Sequence, residues 1–141
     1  MNNDVIFQPA SLLTREELLD HVKHPRNRGE LPGADVVREE ANPLCGDVVT
    51  IYAALRESNL VSRCSFLGSG CIISQAAASI LTEYAGGKTF SDIQRMGRED
   101  MEALLGGKVS PSRVKCAMLP LVALKRGMES FGVQNAEHPP R

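Results

Sequence analysis

The sequence predicts a mixed helix-and-sheet domain in which helices cover one face of a small sheet. Three stretches between residues 34 and 68 have the composition of β-strands, and helical apolar patterns precede and follow them. Neither side of these strand patterns is cleanly polar, so we expect helices on one face and partial shielding of the other. The length of 141 residues fits one domain. We predict a flexible N-terminus over 1–10, one domain over 11–132 and a disordered tail over 133–141.

The first predicted element is a helix from Ser11 to Lys23. Thr14 can cap its start, and Glu17 stands where a capping box places its second partner. The helix should end at His24-Pro25, because a residue before proline is pushed out of the helical region. Residues 26–33 have turn composition and are predicted to form a loop.

The β runs follow in order, and the second and third are joined by a short polar connection at 57–59 that suits a hairpin. Strand alternation places Cys64 beside Phe66, which predicts a core position for this cysteine. The predicted strands are Ala34–Ala41, Asp47–Glu57 and Leu60–Gly68.

Helical patterns fill the rest of the predicted domain. One helix opens at Cys71 and ends at Gly86-Gly87, where glycines break the pattern. Two short helices are predicted over 89–96 and 98–105. A last helix starts at Ser110-Pro111, with proline in its first turn, and runs to about Ser130.

Composition argues against several classes of partner. The net charge is −1, without the basic excess that nucleic acid attracts, so we expect no nucleic-acid partner. No apolar run is long enough for a signal peptide or a membrane span, so we expect a cytoplasmic protein with no membrane partner. In that reducing compartment, the four cysteines are expected to be metal ligands or nucleophiles rather than disulfide halves.

Cys45 and Asp47 form the first candidate chemical pair. They stand two residues apart at the entrance to a predicted strand, where extended backbone would point both side chains the same way. Gly46 between them permits a tight or left-handed conformation. We interpret Asp47 as a weak, exchangeable ligand.

Cys71 and Cys116 lie near the starts of predicted helices, where the macrodipole lowers the pKa of a thiol. If they meet Cys45 and Asp47, three thiolates and one carboxylate would suit Zn²⁺ or an iron–sulfur cluster, and charge alone does not choose between them. The alternative for Cys71 and Cys116 is ordinary burial.

Two cations and three histidines are further candidates for the site by residue type. Arg113 and Lys115 flank Cys116 and could offset negative charge or steer an incoming sulfur species, the alternative being a solvated basic helix start. His21, His24 and His138 are candidate metal ligands by residue type alone, and we assign neither His21 nor His138 to the site.

Four ordered motifs, spread over about 18–128, resemble the NifU N-terminal, IscU and SufU family of iron–sulfur assembly proteins. The matching segments are His24-Pro25-Arg26-Asn27-Arg28-Gly29, Asn42-Pro43-Leu44-Cys45-Gly46-Asp47, Gly68-Ser69-Gly70-Cys71-Ile72-Ile73-Ser74 and Ser112-Arg113-Val114-Lys115-Cys116-Ala117-Met118-Leu119.

The resemblance implies an α+β, SufE/NifU-like fold with a three-stranded antiparallel sheet packed against helices. It also implies a site at Cys45, Asp47, Cys71 and Cys116, a cysteine desulfurase as sulfur donor, and apo iron–sulfur proteins or carriers as recipients. Within that site, Cys45 and Cys116 would take part in sulfur transfer.

The family has two groups of members, SufU-like and IscU-like, and this sequence combines features of both. Arginine-x-lysine before the third cysteine, here Arg113-Val114-Lys115-Cys116, resembles the SufU-like members, which bind zinc and accept persulfide sulfur. The 45 residues from Cys71 to Cys116 are close to the length in the IscU-like members, which are scaffolds for [2Fe-2S] clusters. Three hypotheses therefore stay open: a zinc-bound sulfur acceptor, a cluster scaffold, and a structural zinc site without sulfur transfer.

Overall fold

The structure, a computed structural model, describes residues 15–137. Within that range the predicted order of helices and strands is confirmed, and the strand ends lie within two residues of their predicted positions. Short 3₁₀ turns at 57–59 and 111–113 precede β3 and α5. The elements are α1 (Arg15–Lys23), β1 (Val36–Asn42), β2 (Asp47–Arg56), β3 (Leu60–Ser69), α2 (Ile72–Ala85), α3 (Phe90–Arg95), α4 (Arg98–Leu104) and α5 (Val114–Glu137).

The three strands form one antiparallel sheet in the order β1-β2-β3. Asn42 pairs with Asp47 across the β1–β2 turn, and Val48 pairs with Ser69 at the end of β3. Because these pairs are adjacent, the β1–β2 turn and the β3–α2 junction lie at the same end of the sheet. The fold thus brings the segments of Cys45 and Cys71 together.

The hydrophobic core lies between one face of the sheet and the helices α2 and α5. Val49, Ile51 and Ala53 alternate along β2 and are fully buried on that face, as the sequence pattern predicts. Cys64 and Phe66 of β3 join the same core, which confirms the predicted core position of Cys64. The intervening β2 residues are only half-buried, so the opposite face of the sheet is partly exposed.

The ends of the chain differ in part from the prediction. The last helix continues through Gly132 to Glu137, so residues 133–137 of the predicted disordered tail are helical. A glycine inside a helix costs about 1 kcal/mol, which is too little to end a helix anchored by a buried face. Thr14 and His138 lie outside the described residues, and the extent of the domain, 11–132, stays a prediction. Within residues 15–137, no helix has both the length and the apolar character needed to cross a bilayer.

His21 fastens α1 to α2, as expected of a histidine outside the site. Its side chain is buried, and its Nδ1 lies 2.7 Å from the Ser79 hydroxyl oxygen, which also accepts a hydrogen bond from the Arg26 backbone N–H. Burial and the nearby Arg26 guanidinium lower the pKa of His21 below its usual 6.5, and Glu83 and Asp20 oppose the shift. The folded protein therefore favours the neutral imidazole.

This shift predicts a pH-dependent loss of stability in the metal-free protein. As pH falls below about 6.5, the unfolded chain binds a proton at His21 while the folded chain resists it, so the free energy of unfolding falls until the lower folded pKa is passed. His21→Gln should lose less stability between pH 7.5 and pH 5.5 than the wild type, measured by urea unfolding. His24→Gln, at an exposed side chain, is the matched control and should follow the wild type. An equal loss in His21→Gln would contradict this assignment.

Candidate metal centre

Cys45 lies in the four-residue turn that joins β1 to β2. The Asn42 carbonyl accepts hydrogen bonds from the N–H groups of Cys45 (3.1 Å) and Gly46 (2.9 Å), and Gly46 has a φ of 73°. The expectation that strand alternation aligns Cys45 with Asp47 is therefore wrong, because Cys45 is in a turn and not in extended backbone. Left-handed Gly46 makes that turn possible, and the Cys45 side chain is exposed.

Asp47, the first residue of β2, is fully buried and links the sheet to α2. Its Oδ1 accepts a hydrogen bond of 2.7 Å from the backbone N–H of Cys71, the N-cap residue of α2. Its Oδ2 is buried and has no hydrogen-bond partner among the described residues. A buried carboxylate oxygen without a donor is costly, and a bound cation would satisfy it.

Gly70 makes this close approach possible. It has a φ of 130°, and a Cβ placed there would collide with the Asp47 carboxylate and lie 2.7 Å from the Asp47 Cα. A side chain at position 70 would therefore separate the β3–α2 junction from Asp47.

Two thiols and one carboxylate meet at this end of the sheet. The Sγ atoms of Cys45 and Cys116 are 3.7 Å apart, and with a carboxylate oxygen of Asp47 they lie within 4.8 Å of one another. Cys116 is the third residue of α5 and is 1% exposed. Half-buried Cys71 is not one of these three residues, although its thiol contributes to raising the pKa of Cys116.

Burial raises the pKa of the Cys116 thiol, and interactions with Asp47, Cys71 and Cys45 raise it further. The expected lowering by the helix N-terminus is thus outweighed at Cys116, because loss of hydration and neighbouring acidic groups both disfavour the thiolate. A metal cation would reverse this balance, since a coordinating thiol gives up its proton.

These residues fit a soft divalent cation such as Zn²⁺, or the iron of a cluster. Thiolate sulfur with one carboxylate oxygen is a suitable donor set for either. The predicted ligands Cys45, Asp47 and Cys116 are brought together, and Cys71 stands at their margin.

Arg113 and Lys115 are exposed and stand three residues and one residue before buried Cys116. Within residues 15–137, neither side chain forms an ion pair or a hydrogen bond to the cysteines. Arg113 lines a groove of about 490 Å³ that also includes Ile72 and Ile73, just after Cys71. The roles predicted for Arg113 and Lys115 in sulfur chemistry stay predictions.

Asn42 and Gly70 contact site residues, and although both stand in the quoted motifs, the sequence did not predict these contacts. The Asn42 amide nitrogen lies 3.5 Å from the Cys45 Sγ. Asparagine before a proline and glycine before a helix-opening cysteine are ordinary turn signals. A sequence pattern cannot show which side chain such a turn approaches.

This chain is similar in sequence to known proteins over most of its length. A sequence model of the NifU-like N terminal domain matches residues 13–138. The chain is 37% identical to the zinc-dependent sulfurtransferase SufU of Bacillus subtilis, over 82% of this chain and 89% of that protein. It is 32% identical to the iron-sulfur cluster assembly scaffold protein IscU 1 of Archaeoglobus fulgidus, over 86% of this chain and 78% of that protein.

A solved structure shares the fold. The crystal structure of a nitrogen-fixing NifU-like protein (N-terminal) from Brucella abortus superposes with a TM-score of 0.72 at 18% identity, covering 88% of this chain and 96% of that one. The predicted α+β class with a three-stranded antiparallel sheet is confirmed.

Replacing Gly70 tests the geometry around Asp47. Gly70→Ala should weaken zinc binding by about tenfold or more, because the new methyl group displaces the Asp47 carboxylate, and altered support of a metal ligand typically costs 10–100-fold. Competition with a chromophoric chelator measures this.

Gly87→Ala is the matched control, since Gly87 has a φ of 84° but open space around its Cα. It also places a side chain on a positive-φ residue, at a cost of about 1–2 kcal/mol in the left-handed region, but does not touch the site and should bind zinc like the wild type. Wild-type affinity in Gly70→Ala would show that the Asp47–Cys71 contact does not support the site.

Proposed function

This chain belongs to the NifU-like N-terminal domain family, and on that premise we propose that it serves iron–sulfur cluster assembly by accepting sulfur from a cysteine desulfurase. The proposed centre is zinc-bound and consists of Cys45, Asp47, Cys71 and Cys116. The Bacillus subtilis relative, named a zinc-dependent sulfurtransferase, supports this form of the proposal.

The observation that carries the proposal is the meeting of two thiols with a buried carboxylate. Cys45, Asp47 and Cys116 come from a turn, a strand and a helix, yet their ligand atoms lie within 4.8 Å of one another. The unpartnered Asp47 Oδ2 adds a polar atom that no described protein donor satisfies. Such an arrangement is unfavourable without a cation and favourable with one.

Exposure distinguishes the roles of the two facing cysteines. Cys45 lies on the exposed turn, where a partner's persulfide can reach it, whereas Cys116 is buried on α5. We assign Cys45 as the first sulfur acceptor and Cys116 as an anchoring ligand. The resemblance implied the same role in sulfur transfer for both cysteines, and we now assign them different roles because they differ in exposure.

The transfer conserves atoms and electrons. The Cys45 thiolate attacks the sulfane sulfur of the donor's cysteine persulfide and forms a new S–S bond, while the S–S bond in the donor breaks. The donor cysteine leaves as a thiolate, and Cys45 holds the persulfide. Arg113 and Lys115, exposed beside Cys116, would attract the anionic sulfur species.

Bound zinc would supply positive charge that keeps its ligand thiols deprotonated. Burial raises the pKa of Cys116 in the metal-free protein, which supports a role for a bound cation in deprotonating this thiol. The Asp47 carboxylate is buried and accepts a hydrogen bond from the Cys71 N–H, so its position does not depend on the ion. We therefore assign the exchangeable role that the sequence predicted for Asp47 to exposed Cys45 instead.

A scaffold for an iron–sulfur cluster is the second candidate. The donor set suits cluster iron as well as zinc, and the Archaeoglobus fulgidus relative is named a cluster assembly scaffold protein. In this form the chain would carry the cluster as cargo to apo recipient or carrier proteins, with exposed Cys45 on the side from which the cluster leaves.

Replacing Cys45 tests the sulfur-acceptor proposal. Cys45→Ser should abolish transfer of ³⁵S from a desulfurase charged with labelled cysteine, because serine cannot form a persulfide. Cys64→Ala, which removes a buried core thiol, is the control and should accept label like the wild type. Labelling of Cys45→Ser at the wild-type level would contradict the assignment.

The same variants distinguish the other hypotheses. A structural zinc site predicts that Cys45→Ser unfolds, which circular dichroism would show. A scaffold predicts that the wild type forms a cluster on anaerobic reconstitution and passes it to an apo-ferredoxin without accepting labelled sulfur first.

A further inference from the structure

We infer that Asn42 is a positioning residue that holds the Cys45 sulfur in the metal centre through its side-chain amide. The inference rests on the proposed centre and adds to it a residue that is not itself a ligand. It concerns binding of a soft divalent cation such as Zn²⁺ by this chain's own thiolates.

Asn42 is buried, with 6% of its surface exposed, and both ends of its side chain are engaged. Its Oδ1 accepts a hydrogen bond of 3.3 Å from the Leu44 backbone N–H, and its Nδ2 donates to the Cys45 Sγ at 3.5 Å. The orientation of the amide is fixed by chemistry, since a backbone N–H can only donate and must face the oxygen. The nitrogen is therefore the atom that faces the sulfur.

Cys45 needs this support more than the other members of its group. Asp47 is fixed by the strand β2 and by Cys71, and Cys116 is buried on α5. Cys45 is exposed on a turn, where its side chain would otherwise rotate freely. The amide N–H points the thiolate toward Cys116 and places partial positive charge beside it, as hydrogen-bond donors around metal ligands do.

The turn itself does not depend on the Asn42 side chain. The backbone carbonyl of Asn42 accepts the N–H groups of Cys45 and Gly46, and Gly46 supplies the left-handed residue. Substitutions of the side chain therefore leave most of the turn's hydrogen bonds in place, and the variants can be tested in a folded protein.

Asn42→Asp and Asn42→Ala in the full chain separate the sulfur contact from the turn. The aspartate still accepts from the Leu44 N–H but cannot donate to sulfur, and alanine removes both contacts. Zinc affinity is measured by chelator competition. The sulfur environment is measured by the thiolate-to-metal charge-transfer absorption of the Co²⁺-loaded protein.

Both variants should bind zinc about 10–100-fold more weakly and should show a shifted or weakened charge-transfer band. Weaker binding in Asn42→Asp would be diagnostic, because its added negative charge alone should favour a cation. Ser62→Ala is the control, since it removes a side-chain hydrogen bond of 3.0 Å to the Ala54 carbonyl far from the site. It should keep the wild-type affinity and spectrum.

Wild-type affinity and absorption in Asn42→Asp would overturn the inference, even if Asn42→Ala were impaired, because the role would then be that of a turn residue alone. Failure of the wild type to bind zinc or Co²⁺ would instead remove the proposed centre itself. The two failures are thus distinguishable.

Discussion

The hydrogen bond from the Cys71 N–H to Asp47 Oδ1 is the interaction on which the rest of the site depends. It joins the start of α2 to the start of β2 and fixes a fully buried carboxylate. Gly70 is required because any side chain there would strike Asp47. With one oxygen held, the other is buried and has no hydrogen-bond partner within residues 15–137, and a carboxylate oxygen of Asp47 lies within 4.8 Å of two thiol sulfurs. A cation stabilises such an arrangement.

The residues of the candidate centre differ in exposure, and this difference suits the proposed transfer of sulfur or of a cluster. Asp47 and Cys116 are buried on regular elements, whereas Cys45 is exposed on a turn. A centre that only stabilised the fold would gain nothing from an exposed ligand. Transfer of sulfur or of a cluster needs one ligand that a partner can reach and others that keep their positions meanwhile. Asn42 allows Cys45 to be exposed without being free to rotate.

Local patterns predicted the strands, the helices and the core position of Cys64, because alternation and helical spacing reflect burial of one face directly. The structure brings Cys45 and Cys116 together with Asp47, and the full predicted ligand set that includes Cys71 stays a prediction. The prediction that extended backbone points Cys45 and Asp47 the same way was wrong, because the pattern cannot distinguish a turn with left-handed Gly46 from extended backbone. The raised pKa of Cys116 depends on packing between distant segments, which no single stretch of sequence encodes. The contacts of Asn42 with Leu44 and Cys45 are local, but they depend on the conformation of the β1–β2 turn, which the strand pattern did not predict.

The ligands of the proposed centre can be identified by X-ray absorption at the zinc edge of the zinc-loaded full chain. Three sulfur atoms at about 2.3 Å and one oxygen at about 2.0–2.2 Å are expected, supplied by the three site cysteines and Asp47. A first shell made of nitrogen and oxygen alone, or of four sulfur atoms, would contradict this expectation, because neither is compatible with a centre built around the Asp47 carboxylate.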